Sequence, residues 1–366
     1  MRAPWPGSAI IRSIFQARLG LSPEALQGTS LEESRRRGSL PPEAFQGTPL
    51  GESRRRGDLP VDAPTEFSDA DLGAVIAHKL GPLAWHHLGA QAPPAAARRF
   101  AASHLVARQA AARNRGLLRE VAQVVDVPFL VLKGLPVARW LYGDEALRPS
   151  VDVDILVAPR HRERVGRALL GAGFRATPPP HGLYAQTFAA EDDRQVDVHT
   201  EPWSAAIRAP ELFARARWDM GLGARVPCER DQAALLAAHH VHDLGCQLLN
   251  ALDVLLAVRR VGRVPEVEPL VRLIERDVAR WLGIGASPPV EARWRPLDAF
   301  WRRTAPEARL AAPEGAVLDA YVAGALRPRR ALAILARTLW PAVPSRRWRG
   351  RPVWRLARLL RFVWGR

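Results

Sequence analysis

Two aspartates alternate in VDVDILV (151–157), and a third stands in QVDVHT (195–200). Alternate side chains of an extended strand share a face. Asp152 and Asp154 therefore point one way, and Val151, Val153, Ile155 and Val157 point the other way into a core. Asp197 likewise shares a face with Gln195 and His199, opposite Val196 and Val198. If the two strands pair, three carboxylates meet on one side of a sheet. Two like charges roughly 4 Å apart repel by about 4 kcal/mol at an effective dielectric near 20. Mg²⁺ or Mn²⁺, hard ions that prefer carboxylate oxygens, would neutralise them. A pair of such ions serves in-line displacement at phosphorus by stabilising both the attacking and the leaving oxygen. A lone D-x-D is explained as well by solvated or arginine-paired acids, but here a third acid follows on another strand.

Lys133 and Gly134 close the apolar run VPFLVL (127–132), 19 residues before Asp152. A glycine after a strand lets a phosphate approach the backbone, and the start of the next helix offers free N–H groups to an anion. The lysine adds a compact ammonium, a choice with meaning in a chain whose 53 basic residues include only Lys79 and Lys133 as lysines. His199, two residues from Asp197, is placed to act behind the acids by orienting one of them. Cys228, Cys246, His239, His240 and His242 match no compact zinc spacing and are read as core or surface residues, with one histidine turned toward substrate.

The elements that must position these residues follow from periodicity. A capping start at Ser68 opens a helix over 68–88, and an alanine-rich helix covers 95–124. VPFLVL and VDVDILV read as strands, LPVARWLY (135–142) as two helical turns and GDEALRPS as a loop. Residues 159–174 form a helix stopped by Gly171 and Gly173, and LYAQTFAAEDDRQVDVHT holds two strands. From Pro210 onward the pattern is helical, with a break at Gly245 inside 231–262 and further helices near 266–283, 292–303 and 314–339. The expected fold is α+β, a small mixed sheet flanked by N-terminal helices and a C-terminal helical domain. Its boundaries are an N-terminal segment at 1–66, helices at 67–124, the core at 125–205, a helical domain at 206–340 and a basic amphipathic tail at 341–366.

The 366 residues carry a net charge of +16, with 48% apolar and 25% charged residues. Twelve arginines and no acid fall in residues 327–366, so the rest of the chain is nearly balanced. That distribution argues against a long nucleic acid as partner and leaves the tail as a weak contact for a membrane surface. Residues 23–41 and 42–60 are a tandem repeat of period 19, rich in Gly, Pro, Ser and charge, in which disorder or a frayed helix is expected, and the segment 1–66 as a whole is read as disordered or low-complexity. Two cysteines and no long apolar run suggest a cytoplasmic location.

The order of strand, K-G, helix ending in L-Y, loop with Arg148, D-V-D-I-L-V, helix and V-D-V-H resembles the DNA polymerase beta-like nucleotidyltransferase superfamily. More narrowly it resembles the uncharacterised bacterial nucleotidyltransferases that read L-K-G, L-Y, then R before D-x-D-L-L-V. The likeness is strongest over 130–157 and 195–203 and extends to a later helix from His239 or His240 to Asp253. It implies that Asp152, Asp154 and Asp197 bind the metals and that Asp197 helps activate an acceptor hydroxyl. Lys133 and Gly134 would cradle the nucleotide phosphates, and Arg148 would neutralise charge on them. The broad superfamily has glycine-serine or glycine-glycine where this chain has Lys133-Gly134; the narrower family shares the lysine.

The implied reaction is transfer of an NMP group from a nucleoside triphosphate to a small-molecule or peptide hydroxyl, with phosphoryl transfer on the same core as a variant. The rival is a non-catalytic nucleotide-binding or scaffold protein whose basic tail contacts membrane or RNA. Under the metal reading, Asp154→Asn should leave the metal-free chain at least as stable as before.

Overall fold

The computed structural model describes residues 8–19, 67–177, 185–203, 207–282 and 289–306, with the isolated positions 309, 322 and 325. The tandem repeat, the basic tail and, apart from positions 322 and 325, the helix expected over 314–339 lie outside the described residues.

Helix α1 (Ser8–Leu19) lies in the segment read from sequence as disordered or low-complexity. Its spacing accounts for it, because Ile10, Ile11, Ile14, Phe15 and Leu19 are all buried in one apolar cluster. The adjoining repeat, rich in breakers, obscured that local signal. The stretch 68–88 is two helices, α2 (Asp69–Ala77) and α3 (Gly81–Leu88), with the expected capping box at Ser68 and Asp71. Lys79 stands between them with φ +59°. Helix α4 (Pro94–Val124) runs to the sheet.

Strand β1 (Phe129–Val131) is followed by a short helix α5 (Leu135–Val137) that widens into a π turn, Ala138–Tyr142. Next come β2 (Asp152–Val157), α6 (Arg162–Gly171), β3 (Arg175–Ala176), β4 (Ala185–Ala189) and β5 (Gln195–His199). The strands form one mixed sheet in the order β1-β2-β5-β4-β3. Only β2 and β5 are parallel, and their register sets Asp154 beside Asp197.

The alternation in VDVDILV holds from Val153 on. Val153, Ile155 and Val157 are buried in a cluster with Leu117, Leu118 and Val121 of α4 and Val165 and Leu169 of α6. Val151 is an exception; it precedes the strand and is 69% exposed. Leu156 lies on the aspartate face and is fully buried in the larger, helical cluster. The acids therefore stand where the second apolar layer stops.

After α7 (Ala209–Arg215) the sequence pattern missed a β-hairpin, β6 (Arg217–Asp219) and β7 (Ala224–Val226). Three-residue strands carry too little alternation to be read, and the hairpin earns its place by packing Ala224 and Val226 into the sheet's core. The helical domain continues with α8 (Glu229–His242), α9 (Leu248–Val261), α10 (Glu268–Leu282) and α11 (Arg295–Arg303). The break between α8 and α9 falls at Gly245, whose φ is +67°. No helix among the described residues is long and apolar enough to cross a membrane.

Candidate active site

The parallel register of β2 and β5 brings the aspartates together. Ligand atoms of Asp154, Asp197 and His199 all lie within 4.8 Å of one another. Asp154 is 1% exposed, and its Oδ1 lies 3.0 Å from His199 Nε2. Its Oδ2 has no hydrogen bond and faces Lys133 Nζ at 3.3 Å. Lys133 also reaches Asp152 Oδ2 at 3.9 Å. Backbone pairing explains this approach: the Leu132 N–H donates to the Asp154 carbonyl, so Lys133 leaves β1 at the acids. The helical domain supports that strand end, because Gln232 Nε2 on α8 donates to the Leu132 carbonyl.

Lys133 thus neutralises two of the three acids within the chain itself, and the repulsion inferred from sequence does not by itself demand a metal. Burial penalises the charges of both Asp154 and Lys133, but the attraction between them wins. Together with the His199 contact it holds the Asp154 carboxyl well below the usual carboxylate range. Asp154 and Asp152 hold the Lys133 ammonium above its ordinary value.

Asp197 is different. Its Oδ1 accepts a 2.6 Å hydrogen bond from Thr187 Oγ1, its direct neighbour on β4. No arginine or lysine pairs with it among the described residues. Burial and the nearby Asp154 charge raise its proton affinity, and Thr187 only partly opposes them. A half-buried carboxylate without a cation, beside another carboxylate and an imidazole whose Nδ1 is itself buried and without a hydrogen bond, is a donor set suited to a divalent ion. Asp152, at the open end of the row, is 20% exposed in its side chain and accepts from Ser150 Oγ at 3.3 Å.

Gly134 has φ +71°, and a Cβ there would come within 2.9 Å of Ser150 Oγ, so the turn after Lys133 requires glycine. Arg148 does not extend into the site as an open cation. It is 6% exposed, and its Nε and Nη2 each lie 2.8 Å from Asp253 Oδ2, while Tyr142 Oη donates to Oδ1 at 2.7 Å. The motif residues L-Y, R and the later D are thus a strut between core and helical domain, and the role of phosphate contact expected for Arg148 does not fit its engagement.

Sequence reasoning also missed the surroundings of the acids. Trp203 packs its ring 4.9 Å from those of His199 and His239, with Lys133 Nζ 5.6 Å from its own centroid. His239 Nδ1 lies 2.9 Å from Asp243 Oδ2, and its ring meets the site through Trp203. His240 points inward against Trp301, where burial pushes it down to about 3. Among the described residues no Cys/His group comes together. Asn114, a polar residue in an alanine-rich helix, was the one legible hint: it donates to the Ser150 and Asp152 carbonyls at 3.0 and 3.4 Å and fixes the entry to β2.

A mixed sheet that aligns two aspartates on parallel strands, with K-G at the preceding strand end, is consistent with a nucleotidyltransferase domain. Residues 69–285, well over half of the chain, match the family described as uncharacterised nucleotidyltransferase, and the chain belongs to it. A search among curated proteins finds no match.

Proposed function

We propose that the chain is a Mg²⁺- or Mn²⁺-dependent transferase that moves an NMP group from a nucleoside triphosphate to the hydroxyl of a small molecule or peptide. The observation that carries this reading is the in-register pair Asp154 and Asp197, of which Lys133 neutralises only the first. Asp152, Asp154 and Asp197 would hold the metal, with His199 behind Asp154. A divalent ion bound there supplies charge neutralisation for the phosphates and for the oxygens that attack and leave.

The chain's own groups account for the remaining steps. Lys133 sits where it can exchange its contact with the carboxylates for one with phosphate oxygens. Gly134 keeps the adjoining backbone clear for the same phosphates. Asp197, with raised proton affinity and Oδ1 occupied by Thr187, takes the acceptor hydroxyl's proton on Oδ2. The acceptor oxygen bonds to the α-phosphorus as the bond from that phosphorus to the bridging oxygen breaks, and pyrophosphate leaves. Trp203, which lies against His199, His239 and Lys133, would line the pocket shared by nucleotide and acceptor.

The rival, a non-catalytic binding protein, draws on Lys133, which quiets Asp152 and Asp154 without a metal. It gives no reason for Asp197 to remain a carboxylate. The test is incubation with each of ATP, GTP, CTP and UTP, Mg²⁺ or Mn²⁺ and a metabolite and peptide extract, followed by pyrophosphate assay and product mass. Release of pyrophosphate with an acceptor heavier by one NMP supports the proposal. Gain of a single phosphoryl group marks a phosphotransferase, and no product from any pair supports the rival.

A further inference from the structure

We propose that the outer face of helix α4, together with the tip of the β6–β7 hairpin, docks on an anionic lipid surface. The inference is independent of the nucleotide reading. Helix α4 carries six arginines and a single acid, Glu120, in its 31 residues. Arg99 is paired with Asp69, Arg115 with Glu145, and Glu120 is itself held by Arg194. Arg98, Arg108, Arg113 and Arg119 are exposed and have no acidic partner among the described residues.

Helical geometry puts these four on one side. The helix buries Phe100, Ala107, Asn114, Leu117, Leu118 and Val121. At about 100° per residue, the four arginines fall on the half of the helix opposite those residues, spread along roughly 30 Å. Leu105 and Val106 stand between Arg98 and Arg108, each more than half exposed. The free charges on this face are all positive, so a continuous field of negative charge complements it, and a second copy of the same face is repelled.

The hairpin brings what the helix lacks, the largest exposed apolar side chains. Glu145 takes Arg115 of α4 at 2.6 Å and Arg139 at 3.6 Å, and Arg139 in turn lies 3.6 Å from Asp219 in the hairpin. This chain of ion pairs holds the hairpin beside α4. On either side of Asp219, Trp218 is 55% and Met220 85% exposed, although Ala224 and Val226 on the returning strand are buried in the core. An indole and a thioether left in water near unpaired arginines suit the boundary between headgroups and acyl chains, where arginine meets lipid phosphate and the apolar groups leave water. A nucleic acid would also take the arginines, but Leu105, Val106 and Met220 offer it neither a hydrogen bond nor a stacking face. Docking leaves the acids free, because α4 packs on the sheet through Val153, Ile155 and Val157, and the carboxylates stand on the other face.

The experiment is co-sedimentation of the full chain with phosphatidylcholine vesicles, with and without phosphatidylserine, at low and high salt. Wild type is compared with Arg108→Gln/Arg113→Gln and with Trp218→Ser/Met220→Ser, all at exposed positions, so that both variants should melt where wild type does. Wild type should bind only the anionic vesicles and be released by salt. The arginine variant should bind them at least roughly tenfold more weakly, and the hairpin variant should lose affinity while keeping the salt dependence. No binding by wild type, or equal binding to neutral vesicles, would overturn the proposal. Unaltered binding by the arginine variant would do the same by moving the contact to another basic segment, and unaltered binding by the hairpin variant would remove the hairpin from the surface. Weaker binding of a single-stranded RNA by the arginine variant, with vesicle binding unchanged, would assign the face to nucleic acid instead. Self-association of wild type that the arginine variant abolishes, without vesicle binding, would assign it to a second copy.

Discussion

Two groups of buried charge in this molecule are built on opposite plans. In the helical domain, Asp253 is saturated by Arg148 and Tyr142, and Asp277 by Arg309 at 2.8 and 3.1 Å and by Arg280 at 2.9 Å. Every carboxylate oxygen of Asp253 and Asp277 has a donor, so nothing remains on these two acids to bind a ligand. On the sheet, Asp154 Oδ2 and His199 Nδ1 have no hydrogen bond, and Asp197 has a threonine where it would need a cation. A saturated cluster holds the fold together, whereas an unsaturated one keeps capacity for something that arrives later.

The contrast is sharpest in substitutions. Asp253→Ala would strand Arg148 in a dry interior and free the Tyr142 hydroxyl, at an expected cost of about 3–5 kcal/mol. Urea denaturation measures this; a cost under about 1 kcal/mol would mean that the strut is dispensable. Asp154→Asn comes next. Sequence alone suggested no loss, but Asp154 is the partner of both Lys133 and His199. The metal-free variant should therefore be less stable by about 1–3 kcal/mol.

Asp197→Asn should behave oppositely, with a change between zero and a gain of about 1 kcal/mol in the metal-free chain. The folded chain holds the Asp197 proton at pH values where the unfolded chain has released it. Its contribution to stability therefore falls as pH rises from the ordinary aspartate value of 3.8 through the raised one. Asp154 has the reverse slope: its stabilisation is present above 3.8 and is lost as pH falls. The advantage of Asp197→Asn over wild type should thus be largest near neutrality and vanish toward acid. Melting curves of both proteins from pH 3 to 8 check this, and an advantage that grows toward acid would reverse the assignment.

The difference between the clusters also explains what the sequence could disclose. Period-two alternation around Asp152, Asp154 and Asp197 revealed the carboxylate face, and K-G marked the strand end, because each depends on a few adjacent residues. The partners of those residues come from distant elements. Thr187 is set against Asp197 by the β4–β5 register, and Asp253 meets Arg148 across 105 positions. Lys133 was legible as a cation near the acids, but only the β1–β2 pairing shows that it rests on them. Trp203 lies in the stretch where the family likeness is strongest, but its packing between His199 and Lys133 is visible only in the fold. The hairpin β6–β7 was missed because its three-residue strands are stabilised by packing rather than by their own periodicity, whereas the apolar spacing of helix α1 was present but overshadowed by the repeat beside it.

The central claim is that the sheet cluster receives a metal-bound nucleotide. Its most direct test is the thermal stability of wild type and Asp197→Asn with each of four nucleoside triphosphates and Mg²⁺ or Mn²⁺. At a hundred times its dissociation constant the ligand should stabilise wild type by about 2.7 kcal/mol. The shift should require the metal and disappear in Asp197→Asn, although that variant is at least as stable by itself. An equal shift in Asp197→Asn, or none in wild type with any pair, would contradict the account.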